Sequence, residues 1–284
     1  MKEKNIPVIP VLNKIDIREN SDHLATYIEE QCKIHPLLIS AKEKIGIELI
    51  RQAILEKLPS DFGQQSITGK LVAENDLVLL VMPQDIQAPK GRLILPQVQT
   101  IRELLDKKCL VMTCTTDKFS VTLQALARPP KLIITDSQVF KAIYEQKPKE
   151  SELTSFSVLF AGYKGDIHYY VESAAVIERL TESSRVLIAE ACTHAPLSED
   201  IGRVKLPRLL RKWIGENLQI DMVAGTDFPQ DLTPYSLVIH CGACMFNRKY
   251  VLSRIERARE QHIPMTNYGV AIAFLNGILD QIKY

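Results

Sequence analysis

Strand-like and helix-like segments alternate along almost the whole of this 284-residue chain, and that alternation limits its fold more than any other feature. Short β-rich runs stand at IPVIPVL (6–12), HPLLIS (35–40), LVLLVMP (77–83), CLVMTCT (109–115), KLIITD (131–136), SFSVLFAG (155–162), RVLIAEA (185–191), QIDMVAG (219–225) and SLVIHCGAC (236–244). Helix candidates separate them near 21–33, 46–58, 96–107, 118–127, 137–146, 171–181, 207–217 and 247–260, with a last one near 268–280. Adjacent parallel strands need a crossover of a dozen or more residues, usually a helix, so this order predicts parallel sheets covered by helices. The expected class is α/β, with three consecutive Rossmann-like zones. Polar, Gly-bearing DFGQQSITGK (61–70) and charged QKPKESE (146–152) read as the breaks between them. Expected domains are 1–62, 63–150 and 151–284.

Bulk properties exclude several classes. A formal charge of +1 gives no electrostatic case for nucleic acid or an anionic membrane. No apolar run reaches the roughly 18 residues of a spanning helix. MKEKNIPVIPVLNKID lacks the apolar core and small-residue cleavage site of a secretory signal, so the cytoplasm is expected. The 6 cysteines do not form a secreted disulfide pattern. Cys32, Cys109 and Cys114 sit in or beside apolar segments, where cysteine is commonly a small buried hydrophobe. Cys192, Cys241 and Cys244 sit among His, Gly and Pro in short turns after strands.

Two motifs carry chemistry. Asn13-Lys14-Ile15-Asp16 follows the first strand, and Ser40-Ala41-Lys42 follows the second, 23 intervening residues after Asp16. An Asp carboxylate accepts both N–H groups of the guanine Watson–Crick edge. Asn reaches the other edge, the Lys stem lies along the purine, and the Ala41 amide can meet the exocyclic oxygen. The motifs therefore read as the base-recognition half of a GTPase. The bland alternative is two ordinary strand-end turns. No G-x-x-x-x-G-K-[ST] loop accompanies them. Gly63 to Lys70 is one residue too long, has Leu71 in place of the Mg2+-binding hydroxyl, and follows no strand. The chain is therefore expected to be the C-terminal part of a longer protein and, alone, to bind no GTP.

The second motif is Cys192-Thr-His194, then 45 intervening residues, then His240-Cys241-Gly-Ala-Cys244. C-x-x-C points two thiolates at one ion, and Gly242 frees the turn. If the strands before Cys192 and Cys241 are parallel, both end at one sheet edge, where open α/β sheets bind ligands. Three thiolates with one other ligand suit either a closed Cys3His zinc site or a [4Fe-4S] cluster with a labile fourth position. His194, His240 and Glu199 are candidates for that fourth ligand or for tuning the thiolates by hydrogen bonds, and Glu190 and Asp200, which flank the first motif with Glu199, could also reach the metal instead of a histidine.

Together these motifs resemble the [FeFe]-hydrogenase maturation GTPase family. Ala88-Pro-Lys-Gly-Arg-Leu-Ile-Leu-Pro-Gln97 matches that family's central signature, although a basic loop between two prolines needs no task. The resemblance implies a GTPase domain, a dimerisation domain and a [4Fe-4S] domain. It implies guanine contacts from Asn13, Lys14, Asp16, Ser40, Ala41 and Lys42, and cluster ligation by Cys192, Cys241 and Cys244. It also implies a scaffold that receives a two-iron precursor made with two radical-SAM maturases and delivers it to apo-[FeFe]-hydrogenase as a homodimer. GTP and Mg2+ would belong to a full-length protein, and without the phosphate loop hydrolysis by this chain is not expected. Two competing readings are a GTPase with a structural zinc domain and a zinc-stabilised interaction module.

Overall fold

In a computed structural model, which describes residues 7–58, 65–83, 93–191, 201–244 and 246–284, the chain divides into two compact units. Unit one is Met1–Gln65 and unit two is Ser66–Tyr284. Among the described residues no helix is long and apolar enough to cross a membrane.

Unit one holds β1 (Val11–Leu12), α1 (Ser21–Cys32), β2 (Leu37–Leu38) and α2 (Ile47–Lys57). The two strands are parallel, with Val11 opposite Leu37. The pairing is much shorter than the β-rich runs. Pro7, Pro10 and Pro36 have no N–H to donate to a ladder, so only two residues of each run pair. α2 buries no residue, although Ile47, Ile50 and Ile54 recur at helical spacing.

Unit two contains two four-stranded sheets. The first is built from β3 (Leu77–Val81), α3 (Leu95–Asp106), β4 (Leu110–Cys114), α4 (Phe119–Ala125), β5 (Leu132–Thr135), α5 (Phe140–Gln146), β6 (Glu152–Ser155) and α6 (Phe156–Lys164). The second follows from α7 (Ile167–Ala174) through β7 (Arg185–Ala189), α8 (Leu206–Ile214), β8 (Gln219–Val223), β9 (Leu237–His240), α9 (Arg248–Glu260), β10 (Met265–Asn267) and α10 (Tyr268–Leu275). Every strand pair is parallel. The orders are β4-β3-β5-β6 and β8-β7-β9-β10. Counted from each sheet's own first strand, both are 2-1-3-4. The α/β class with parallel, helix-covered sheets is thus the fold, and the two sheets share one topology.

The expected strand at 155–162 is a helix. Ser155 ends β6 and its hydroxyl accepts the Val158 amide at 3.2 Å, which caps α6 at once. An apolar run of this length has no polar face to reveal its period, so sequence cannot separate a buried strand from a buried helix. β10 was missed for a related reason. Its three residues lead directly into α10, where Asn267 Oδ1 caps by accepting the Gly269 amide at 2.8 Å. β6 pairs with β5, so the first sheet runs past the break expected near 150.

Side chains alternate along the strands. Leu79 and Val81 enter one cluster, while Val78 and Leu80 enter another. Leu187 and Val238 of the second sheet join Leu79, Ile133 and Leu153 in the same buried cluster, so one core serves both sheets. α6 and α10 meet at its edge. A Cβ added to Gly269 would stand 2.8 Å from the Ser157 side chain, which glycine alone permits.

Candidate metal centre

A 2-1-3-4 sheet reverses its winding beside the first strand, and the loops there diverge to leave a crevice at the carboxyl ends of strands one and three. In the second sheet these are β7 and β9, paired with Ala189 opposite His240. β9 runs straight into Cys241, whose amide donates to the Ala189 carbonyl at 2.9 Å. Cys192 follows β7 in sequence, three residues after its last strand residue. Cys192, His194, Glu199 and Asp200 lie outside the described residues, as do Gly63 and the Ala88–Arg92 part of the central signature.

Among the described residues, the Cys241–Cys244 turn is open on one side, since a Cβ on Gly242 would meet none of them within 4 Å. Ala243 takes a left-handed φ of 46° and is buried, which turns the backbone back toward the sheet. Cys241 and Cys244 are both half-buried. Cys241 Sγ accepts the Ala191 amide at 3.0 Å and the Ala243 amide at 3.4 Å. Ala191 immediately precedes Cys192, so the backbone leading to the third cysteine touches the sulfur of the first member of the pair. Two N–H donors on one sulfur favour its thiolate, the form that binds metal. This donor set fits a thiolate-bound metal group. Among the described residues alone, no three His, Cys, Asp or Glu side chains form a metal-sized group.

His240 is wholly buried and both its ring nitrogens are engaged. Nδ1 lies 2.6 Å from the Cys241 carbonyl and Nε2 lies 2.9 Å from Arg254 Nη1. A carbonyl only accepts and a guanidinium only donates, so the ring carries its proton on Nδ1 and leaves no lone pair for a metal. Burial, with the Arg254 charge beside it, pushes its pKa down to about 4. As placed here, His240 braces the turn rather than ligating. Glu190 is also committed: it is buried, and its Oε2 accepts Arg203 Nη2 at 2.9 Å and Nε at 3.2 Å.

Two cations close on the turn that sequence reading did not single out. Lys164, at the end of α6, donates from Nζ to the carbonyls of Ala243 at 2.9 Å, Cys244 at 2.7 Å and Phe246 at 2.8 Å. Burial pushes its ammonium down, and the Cys244 and Cys241 charges oppose that. Arg254, on α9, donates to His240, Gly225 and Tyr250, with Phe228 and Tyr250 rings 4.5 and 4.6 Å from its guanidinium carbon. A lysine closing the apolar stretch FSVLFAGYK was a visible signal. Arg254 was hidden among four other basic residues of RKYVLSRIERARE.

In unit one the two base-recognition turns meet. Asn13 Oδ1 accepts the Ala41 amide at 3.0 Å and the Lys14 amide at 2.7 Å. The Ser40 hydroxyl holds the exposed Asp16 carboxyl below its ordinary range. Ser40 is fully buried, while Asn13, Lys14, Asp16, Ala41 and Lys42 are exposed. Asn13 therefore ties the turns together, and the Ala41 amide expected to face a base is occupied by Asn13.

Residues 67–165 match the hydrogen maturase F dimerization domain, and residues 168–283 match the hydrogen maturase F tetramerization domain. The chain belongs to the hydrogen maturase F family. Among curated proteins it is similar to Elongation factor 4 of Hydrogenobaculum sp. (strain Y04AAS1), at 38% identity over 68 residues, and of Aquifex aeolicus (strain VF5), at 42% over 65. Each alignment covers 22% of this chain, which spans only 11% of either relative's length.

Membership in the maturase family rests on two adjoining matches, one to a domain named for dimerization and one to a domain named for tetramerization. They also divide the cysteine site. Lys164 lies in the stretch matching the dimerization domain, while the turn it holds lies in the stretch matching the tetramerization domain. Arg248 of α9 reaches back, donating from Nη1 to the Gly165 carbonyl at 2.9 Å and the Tyr163 carbonyl at 3.1 Å.

Proposed function

We propose that this chain is the scaffold and carrier part of a maturase for the [FeFe]-hydrogenase active-site cluster, holding a [4Fe-4S] cluster through Cys192, Cys241 and Cys244. The observation that carries this reading is the Ala191 amide on Cys241 Sγ, which brings the approach to Cys192 and the C-x-x-C turn to one crevice between β7 and β9. Three thiolates leave one iron of such a cluster for an exchangeable ligand. His194 and Glu199 are the remaining candidates at that position, since His240 has no free nitrogen. The same point weighs against a Cys3His zinc site completed by His240.

The chain's own groups set the conditions for delivery. The open face at Gly242 lets a partner approach the turn, while Lys164 and Asn247 hold its far end, Asn247 capping α9 by accepting the Tyr250 amide at 2.9 Å. The partners are two radical-SAM maturases and apo-[FeFe]-hydrogenase. The homodimer forms through the edge of the first sheet, where Leu110 and Met112 of β4 are 53% and 40% exposed on an edge strand. Lys14, Asp16 and Lys42, with their turns tied by Asn13 to Ala41 and Asp16 held by Ser40, supply the guanine face of a GTP-binding unit whose nucleotide state regulates delivery in a full-length protein that binds GTP and Mg2+.

Anaerobic reconstitution with ferrous iron and sulfide tests the central claim. The expected product is brown, with a broad band near 400 nm and an EPR signal on reduction. Colourless protein carrying one zinc would replace this reading with the zinc-stabilised module. Calorimetry with GTP is expected to show no micromolar binding by this chain.

A further inference from the structure

Lys164 and Arg254 present an electrostatic problem. Lys164 is 7% exposed and Arg254 is 4% exposed. Among the described residues neither pairs with a carboxylate. Their partners are carbonyls, an imidazole, a phenol hydroxyl and aromatic faces. Lys164 Nζ serves three carbonyls at once, which uses all three N–H bonds of an ammonium, whereas a neutral amine has only two to give. Arginine stays charged in proteins. Two positive charges are therefore buried around one short turn, and their partners among the described residues are neutral. Taking charges out of water is costly unless an opposite charge repays it. The turn they hold carries Cys241 and Cys244, and His240, which receives Arg254, directly precedes Cys241.

We propose that Lys164 and Arg254 are the buried counter-charges of the cysteine site, positioning residues that favour an anionic metal–thiolate group and raise its reduction potential. This rests on the reading that the cysteines bind an iron–sulfur cluster. Three thiolates on a cluster core of two positive charges leave one net negative charge, and adding one electron makes it two. Fixed cations stabilise the more negative, reduced state more than the oxidised one, by Coulomb's law at short range and low dielectric. Lys164 also orders the turn by gripping three carbonyls beyond Gly242, and Arg254 fixes His240 and thereby the exit of β9. Because Lys164 comes from α6 and Arg254 from α9, the counter-charge is assembled from both matched domains.

The test compares wild type, the charge-removing Lys164→Met and Arg254→Met, and the charge-keeping Lys164→Arg and Arg254→Lys. Each is reconstituted anaerobically, and its midpoint potential is read by EPR-monitored redox titration. Each charge-removing variant is expected to shift the one-electron equilibrium at least tenfold toward the oxidised form, a drop of about 59 mV. The charge-keeping variants should stay within threefold of wild type. Loaded Lys164→Met and Arg254→Met clusters that also stay within threefold would overturn the proposal. If a charge-removing variant takes up no cluster, its charge-keeping partner decides: loading supports the counter-charge role, and failure to load overturns it in favour of shape alone. Wild type that takes up no cluster would instead sink the cluster reading itself.

Discussion

The two sheets of unit two share the order 2-1-3-4 and one core, yet their carboxyl edges are built from different chemistry. In the first sheet β5 ends in Thr135-Asp136-Ser137. Thr135 Oγ1 donates back to the Val81 carbonyl at 3.0 Å, and the Ser137 and Ser155 hydroxyls lie 2.9 Å apart. Short hydroxyls bond the strand ends to one another. In the second sheet the equivalent strand β9 ends in His240-Cys241, and the groups around it are sulfurs, N–H donors and buried cations. Among the described residues, the same topology thus carries hydroxyls at one edge and sulfurs, N–H donors and cations at the other. Strand order supplies a crevice, and the side chains that follow the strands decide whether it is filled or functional.

The sharpest way to break this comparison is a pair of cysteine exchanges. Cys241→Ser should abolish the band near 400 nm after reconstitution, whereas Cys114→Ser, at the end of β4, should leave it intact. Equal loss in both would mean that the second edge is not special. Next in size is the shared core. Leu79→Ala, at a fully buried position of the first sheet, should cost about 2–5 kcal/mol. Because Leu79 packs in the cluster that also holds Val238, denaturation of the variant should remain one transition that carries the second sheet with it. Two separated transitions by circular dichroism would show that the sheets unfold independently.

A smaller effect belongs to the start of unit two. Glu103 on α3 accepts the Ile67 and Thr68 amides and the Ser66 and Thr68 hydroxyls. Burial raises its carboxyl pKa, but these donors outweigh burial and hold it below the ordinary 4.5. A depressed folded value stabilises the protein above the ordinary pKa and loses that contribution as pH falls through the folded one. Glu103→Gln should therefore cost about 1–3 kcal/mol near pH 7, with the gap to wild type narrowing below pH 4.5 in urea melts. A gap that is constant with pH would assign the effect to shape. At the edge strand, Leu110→Lys should weaken the dimer about tenfold or more in sedimentation, since a charge there opposes strand-edge association. Smallest is Thr135→Val, which removes the Val81 bond and should cost about 0.5–1.5 kcal/mol without moving the cluster band.

Much of the molecule was legible from residues alone. The alternation at 77–146 announced parallel strands and crossover helices because each element there is bounded by turn residues and has a distinct period. The segment 155–162 was not legible, because a helix buried all round shows no polar face. The cysteine pair was readable from C-x-x-C among Gly and His. The fate of His240 was not, since nothing in its neighbourhood announces that Arg254, 14 residues away, will occupy Nε2. The tying of Asn13 to Ala41 likewise depends on two strand ends meeting in space.

By itself the sequence determined the α/β class and most of the alternation of strands and helices, because those depend on local period and composition. Only the tertiary structure decided that both sheets wind alike and share a core, and that the Ala191 amide at the end of β7 reaches the Cys241 sulfur at the end of β9. It also decided which cations face that crevice. A buried charge is judged by what surrounds it, and the surroundings of Lys164 and Arg254 come from loops some 30 to 80 residues away along the chain.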